Sequence, residues 1–280
     1  MKKLLFLLCL LSWSALNAQK TINRPPFIAK ATETIEIAAV HLSDTATVID
    51  VDAKFTPKYW IRIAPATCLV ADNGERYQVR QGVGIELGQE FWMPESGEAT
   101  FSLIFPPLPP SVKSFDFVEG EGERDFNLFG ISLTGKLPKL QLPKGLEKAG
   151  KMTAVALPTP EIKEGTAIIS GRILDYKPSF RMKAELHSAD FLSPYGQKNT
   201  ELELDEVGNF QTEISVSHPS VAYLSVGGSV VSFLLSPGGE TKVTVNLREM
   251  TRASSRLQKD TKAEGKKVYF EGLNAGLNTE

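Results

Sequence analysis

The chain is poorest in the residues that carry most thiol and metal chemistry: it has two cysteines, Cys9 and Cys68, and three histidines, His41, His187 and His218, in 280 residues. A thiol-disulfide active site needs one thiol to attack and a second to resolve the mixed disulfide, and there is no Cys-x-x-Cys. Zinc needs several His or Cys ligands at set spacing, whereas the three histidines stand in different sequence neighbourhoods. A Gly-x-Ser-x-Gly elbow and a Gly-rich phosphate loop ending in Lys are also missing; the glycine pair Gly227-Gly228 reads as a turn between strands. With a formal net charge of −2, the chain has no excess of cations to neutralise phosphates, which excludes nucleic acid as the expected partner. No catalytic, cofactor-binding or metal-ligating residue is assigned, and the chain alone is read as non-catalytic.

Long apolar runs are scarce too. Lys2 and Lys3 precede the apolar stretch Leu4–Leu11, and a short polar stretch then ends in Asn17-Ala18-Gln19. This has the form of a secretory signal peptide, with cleavage expected after Ala18. It is too short for a membrane span of about 20 apolar residues, so no transmembrane segment is expected after cleavage. Leu8 stands where a bacterial lipoprotein signal places a small residue before its cysteine, which argues against lipidation of Cys9. The chain is therefore expected to be exported, to the periplasm or the cell surface. Export leaves Cys68 as its one cysteine, so no intramolecular disulfide is available to it.

What is present is strand after strand. Ile49 and Val51 alternate with Asp50 and Asp52, and Phe101, Leu103 and Phe105 alternate with Ser102 and Ile104, the period of two of a half-buried strand. Asp72-Asn73-Gly74 marks a hairpin between 67–71 and 76–80, and 83–87 reads as a further strand. Short strands without a long helical period predict an all-β fold of two consecutive sandwiches. The first, 28–135, is expected to be immunoglobulin-like. A Pro/Lys-rich linker, 136–164, interrupts it, since proline cannot donate to a sheet ladder; one helical turn is expected near Gly145–Met152. A smaller transthyretin- or carboxypeptidase-regulatory-like sandwich, 165–247, follows. Beyond it a basic tail, 248–280, reads as a short exposed helix or disorder, then turns apolar at Val268-Tyr269-Phe270. With little chain left to pair with, that run predicts a further C-terminal domain.

Three local features carry candidate chemistry. Cys68 lies in the apolar run Ala66-Thr67-Cys68-Leu69-Val70 and reads as an inert core residue; a reactive thiol would need a basic neighbour that the adjacent sequence does not supply. The acidic stretch Glu119–Asp125 fits a solvated hairpin loop better than a calcium site, because the ligand order of a known calcium loop is missing. The aromatic pairs Tyr59-Trp60 and Phe91-Trp92 suit a sugar-stacking platform, although packing in a sandwich core or edge explains them more simply.

The series Gly171-Arg172-Ile173-Leu174-Asp175, Leu204-Asp205-Glu206-Val207-Gly208-Asn209-Phe210 and Phe233-Leu234-Leu235-Ser236-Pro237-Gly238-Gly239 resembles the N-terminal modules of exported TlpA-like thiol-disulfide oxidoreductases. The ending 269–278 is similar to the segment leading into their helical connector, and the strands Trp60-Ile61-Arg62-Ile63 and Phe115-Asp116-Phe117-Val118-Glu119 resemble an immunoglobulin-like region ahead of such modules. The resemblance covers most of the mature chain through turn patterns of moderate specificity. In that family the chemistry belongs to a C-terminal thioredoxin-like domain with a Cys-x-x-Cys site, missing here, so no catalytic residue carries over. The resemblance implies a non-catalytic accessory role, positioning a redox domain or contacting its protein substrates. The alternative reading is a free-standing module that binds glycan or protein at an exposed aromatic edge, and a third is a divergent hydrolase, which would require convergent carboxylates in a cleft.

Overall fold

The computed structural model describes residues 20–122, 125–149, 156–159, 161–190 and 196–278; the leader and its cleavage site after Ala18 lie outside them, as do Glu123 and Arg124 of the acidic stretch and parts of the Pro/Lys-rich segment. No helix among the described residues is long and apolar enough to cross a membrane. The chain is nearly all β and divides into two compact units, one built mainly from 34–126 and the other mainly from 137–280.

The strands of the N-terminal half are β1 (Lys20–Asn23), β2 (Ala29–Lys30), β3 (Ile35–Leu42), β4 (Thr47–Lys54), β5 (Trp60–Ile61) and β6 (Cys68–Ala71). They continue as β7 (Arg76–Gln78), β8 (Gln81–Val83), β9 (Phe91–Trp92), β10 (Glu98–Phe105), β11 (Ser114–Val118) and β12 (Asn127–Ser132). In the first unit one sheet runs β1-β3-β4-β10-β8 and a second joins β12, β11, β6 and β7. The alternation read from the sequence sets the layers. Val51 pairs with Phe101 and Ile49 with Leu103, all four buried, while Asp50 and Asp52 stay at the outer face. Phe105 of one sheet meets Phe117 of the other edge-on at 6.4 Å. A third, two-stranded ribbon pairs β5 with β9.

The hairpin at Asp72-Asn73-Gly74 forms, but as a three-residue loop. The Gly74 N–H donates to the Ala71 carbonyl and the Ala71 N–H to the Glu75 carbonyl, both at 2.8 Å. Only Gly74 takes a positive φ, of 86°, so a single left-handed residue closes a bulged turn. The strand expected at 83–87 ends instead at Val83; Gly84, at φ 83°, turns the chain out of the sheet.

The second unit holds α1 (Leu146–Ala149), within the expected helical turn, then β13 (Gly165–Leu174), β14 (Ala184–Ala189), β15 (Gln197–Glu201) and β16 (Asn209–Val216). After these come β17 (Ser220–Val226), β18 (Ser229–Leu235), β19 (Glu240–Asn246), α2 (Leu247–Ser254) and β20 (Val268–Gly272). Its sheets run β16-β13-β19-β20 and β15-β14-β17-β18, and Phe233 of one faces Phe270 of the other at 6.0 Å. The central pair β13 and β19 is parallel, the long connection between them supplying the crossover that parallel strands need. The β2 strand pairs with the first part of β12, Ala29 opposite Phe129, and the Phe129 ring stacks on Phe180 at 4.6 Å.

Two expectations for the final segment are corrected. Val268-Tyr269-Phe270 does have a partner: it forms β20, antiparallel to β19 with Phe270 opposite Val243, and all three side chains are buried. Nor is the helix after Leu247 exposed, since Leu247–Thr251 of α2 are buried. Its charges are paired inside rather than solvated. Asn246 caps the helix by accepting from the Glu249 N–H. Glu249 in turn accepts from Arg252 Nε at 2.8 Å and from the Glu264 N–H. Arg248 lies against Asp175, Nε to Oδ2 2.5 Å, and donates to the Pro138 carbonyl.

Candidate functional site

Pro57 sits at the second position of a four-residue turn in which the Tyr59 N–H donates to the Thr56 carbonyl at 3.1 Å. The third position, Lys58, takes φ 64°, the geometry of a type II turn in which glycine is the usual occupant. The Lys58 N–H donates to the Met93 carbonyl at 3.2 Å, and the Met93 N–H to the Tyr59 carbonyl at 2.8 Å. Two residues of one strand thus oppose one of the other, a bulge of the kind that re-aims side chains near functional sites.

From that bulge the ribbon starts in register, with Trp60 directly opposite Trp92 and Ile61 opposite Phe91. Opposed residues share a face with Cβ atoms about 4.5–5.5 Å apart, so the two indoles project from the same face of the ribbon. Ile61, Ile63 and Met93 turn inward and are buried, and the Phe91 ring rests against Phe101 at 6.2 Å. The outward residues stay in solvent: Trp60 is 43% exposed, Trp92 60% and Tyr59 62%. The packing explanation for the two aromatic pairs therefore holds for Phe91 and fails for the other three. Nearby charges pair with each other, Lys58 with Glu95 at 3.0 Å and Lys54 with Glu98 at 2.7 Å.

Other candidates resolve differently. Cys68 is buried, yet it does have a basic neighbour: the hairpin brings Arg76 across to donate to its Sγ at 3.0 Å. Burial pushes the thiol up by more than Arg76 lowers it, so it stays protonated and slow to react. His41 is brought beside Asp50 and Ser102. The His41 Nε2 lies 2.8 Å from Asp50 Oδ2, and Ser102 donates to Asp50 Oδ1 at 2.7 Å. These are the residue types of a hydrolase triad in the wrong order, because the aspartate, not the imidazole, takes the serine proton donor. His187 contacts Asn199 Oδ1 at 2.9 Å and His218 contacts Ser217 at 3.1 Å.

In the acidic stretch Glu119 is not a loop carboxylate in solvent. It is buried and accepts from the Ala64 N–H at 2.8 Å and the Phe126 N–H at 2.7 Å. Glu119→Ala is expected to destabilise the first unit by about 3 kcal/mol, since two part-buried backbone donors lose their acceptor. Burial raises the Glu119 carboxyl above its ordinary range, outweighing those two bonds. A raised folded-state pKa means the folded form binds the proton more tightly, so the glutamate's contribution is full below the unfolded carboxylate range and falls as pH rises through the raised value. Urea unfolding of both proteins at about pH 4 and about pH 8 should show the gap narrowing at the higher pH; a gap that widened would contradict the assignment.

No family model matches the chain, and no curated protein matches it. Among solved structures, type I pullulanase from Bacillus subtilis str. 168 complexed with maltose aligns over 75% of this chain and 24% of its own, at 9% identity and a TM-score of 0.25. The Group B Streptococcus pullulanase SAP aligns over 68% and 22%, at 12% identity and a TM-score of 0.18. Pullulanase from Anoxybacillus sp. LM18-11 aligns over 68% and 24%, at 12% identity and a TM-score of 0.21. The chain thus spans less than a quarter of the length of these proteins, and likeness at this level carries no functional argument.

Proposed function

We propose that the chain is a non-catalytic binding module that takes an uncharged glycan on the Trp60–Trp92 platform. The observation that carries this reading is the pair of indoles set opposite one another on the outer face of a bulged ribbon and left in solvent. Contiguous exposed aromatic surface usually marks an interaction site. A sugar ring suits it, with an apolar C–H face to lie on the indole and a rim of hydroxyls left to water or polar neighbours. Two of the nearby lysines are neutralised by pairing, Lys58 with Glu95 and Lys54 with Glu98. The redox-accessory role implied by the resemblance would place a protein on an exposed surface, and no particular side chain favours it.

Titration of the full chain with neutral polysaccharides tests the reading. Trp92→Ala is expected to weaken binding by about 2 kcal/mol, or about thirtyfold, with Trp92→Phe intermediate. Because Trp92 is largely exposed, its removal should leave the unfolding midpoint nearly unchanged. Binding should also be insensitive to salt. Equal binding by Trp92→Ala, or binding to protein partners but to no glycan, would overturn it.

A further inference from the structure

We infer that the open groove beside the platform is a second subsite for the same ligand, so that the preferred ligand is an oligosaccharide whose successive units run from the indoles into the groove; the inference rests on the glycan reading of the platform. The groove encloses about 600 Å³, within the range of ligand sites. It is bounded by β8 and the loop that returns to β9, and its lining includes Arg80, Gln81, Glu86, Gln89, Glu90 and Phe91. Phe91 immediately precedes Trp92 in β9, and Glu90 is the loop residue just before that strand. Groove lining and platform therefore adjoin in the chain, at the Phe91–Trp92 step.

The lining chemistry fits hydroxyls. Hydroxyl groups both donate and accept, and the lining offers both: carboxamides at Gln81 and Gln89, a planar donor fork at Arg80 and acceptors at Glu86 and Glu90. One cation against two carboxylates gives no excess positive charge to hold an anionic polymer. The floor adds backbone groups, because β8 ends the order of its sheet and an edge strand presents unpaired N–H and C=O groups. Gly82 lets the loop pack closely on β8: a Cβ there would sit 2.3 Å from the Ile85 carbonyl oxygen.

The test is calorimetric titration of the full chain with neutral oligomers of glucose, mannose and xylose, each as a disaccharide and a hexasaccharide. At least one series should gain about tenfold in affinity from the short to the long form, and the double variant Gln81→Ala/Gln89→Ala should lose that gain while binding the disaccharide as the native chain does. Both glutamines are exposed, so folding is preserved and circular dichroism verifies it. Affinity that is flat with length, or a gain that survives the double variant, overturns the groove assignment while the platform stands. Trp92→Ala with unchanged disaccharide affinity instead removes the platform reading, and failure of every oligomer to bind removes both.

Discussion

Gly171→Ala is expected to destabilise the second unit by about 3 kcal/mol or more, a fall of about 10 °C in its unfolding midpoint. Gly171 lies in the middle of β13 and has a partner on each side, Phe210 of β16 and Val243 of β19. A Cβ there would stand 2.0 Å from the Val243 carbonyl oxygen and 2.6 Å from Phe210 Cζ. The first obstacle is backbone inside a ladder, which can yield only by parting the two central strands; the second is a buried ring that lies over the glycine and covers it. Gly171 is therefore there for close approach, not for a left-handed conformation. Thr166→Ala, an exposed change in the same strand, supplies the control and should cost less than about 1 kcal/mol. Thermal unfolding followed by circular dichroism distinguishes them; equal midpoints would show that the sheet accommodates the methyl group.

Arg248→Ala is the other large effect, an expected loss of about 3 kcal/mol in urea unfolding. The Arg248 side chain is 6% exposed and Asp175 24%, and removing one member of a buried pair strands the other charge, which costs about 3–5 kcal/mol. The lower end applies because water still reaches Asp175. The 2.5 Å approach of Nε to Oδ2 is not aligned as a hydrogen bond, so attraction between charges rather than bond geometry holds it. Loss of the guanidinium also takes the donor from the Pro138 carbonyl. Adding Asp175→Asn to Arg248→Ala should recover part of the loss, since the stranded charge is then gone. No recovery would mean that packing of the arginine stem, not its charge, is what matters.

These two sites also show where reading the sequence succeeds and where it stops. Alternation reveals a strand when its own residues decide its faces, as in β4 and β10, where Val51 and Phe101 point inward beside outward Asp50 and Ser102. It cannot reveal that Gly171 is crowded, because the crowding comes from Val243, seventy-two residues away in sequence. Val268-Tyr269-Phe270 was apolar and short, and only the β19 register shows that it has a partner. The Arg-, Lys- and Glu-rich stretch around α2 has the composition of a solvated helix; pairing with Asp175 and Glu264 is a tertiary fact. At the platform the aromatic residue types were visible, but their exposure depends on a bulge at Lys58 and a two-residue ribbon too short to leave a periodic signal. The groove has no motif at all, because its walls come from an edge strand and an irregular loop.

The parallel pairing of β13 with β19 sets a schedule for the nascent chain. β13 ends at Leu174 and β19 begins at Glu240, 66 residues later. At elongation rates of about 5–20 residues per second, the ribosome needs on the order of 3–13 seconds to deliver the second strand. Meanwhile β16 emerges and closes one edge of β13, but the other edge, centred on Gly171, is an open template for any passing extended segment. The interval between the two strands is thus the period when this unit is most exposed to intermolecular pairing, and a chaperone that shields a strand edge would act between the synthesis of β16 and that of β19.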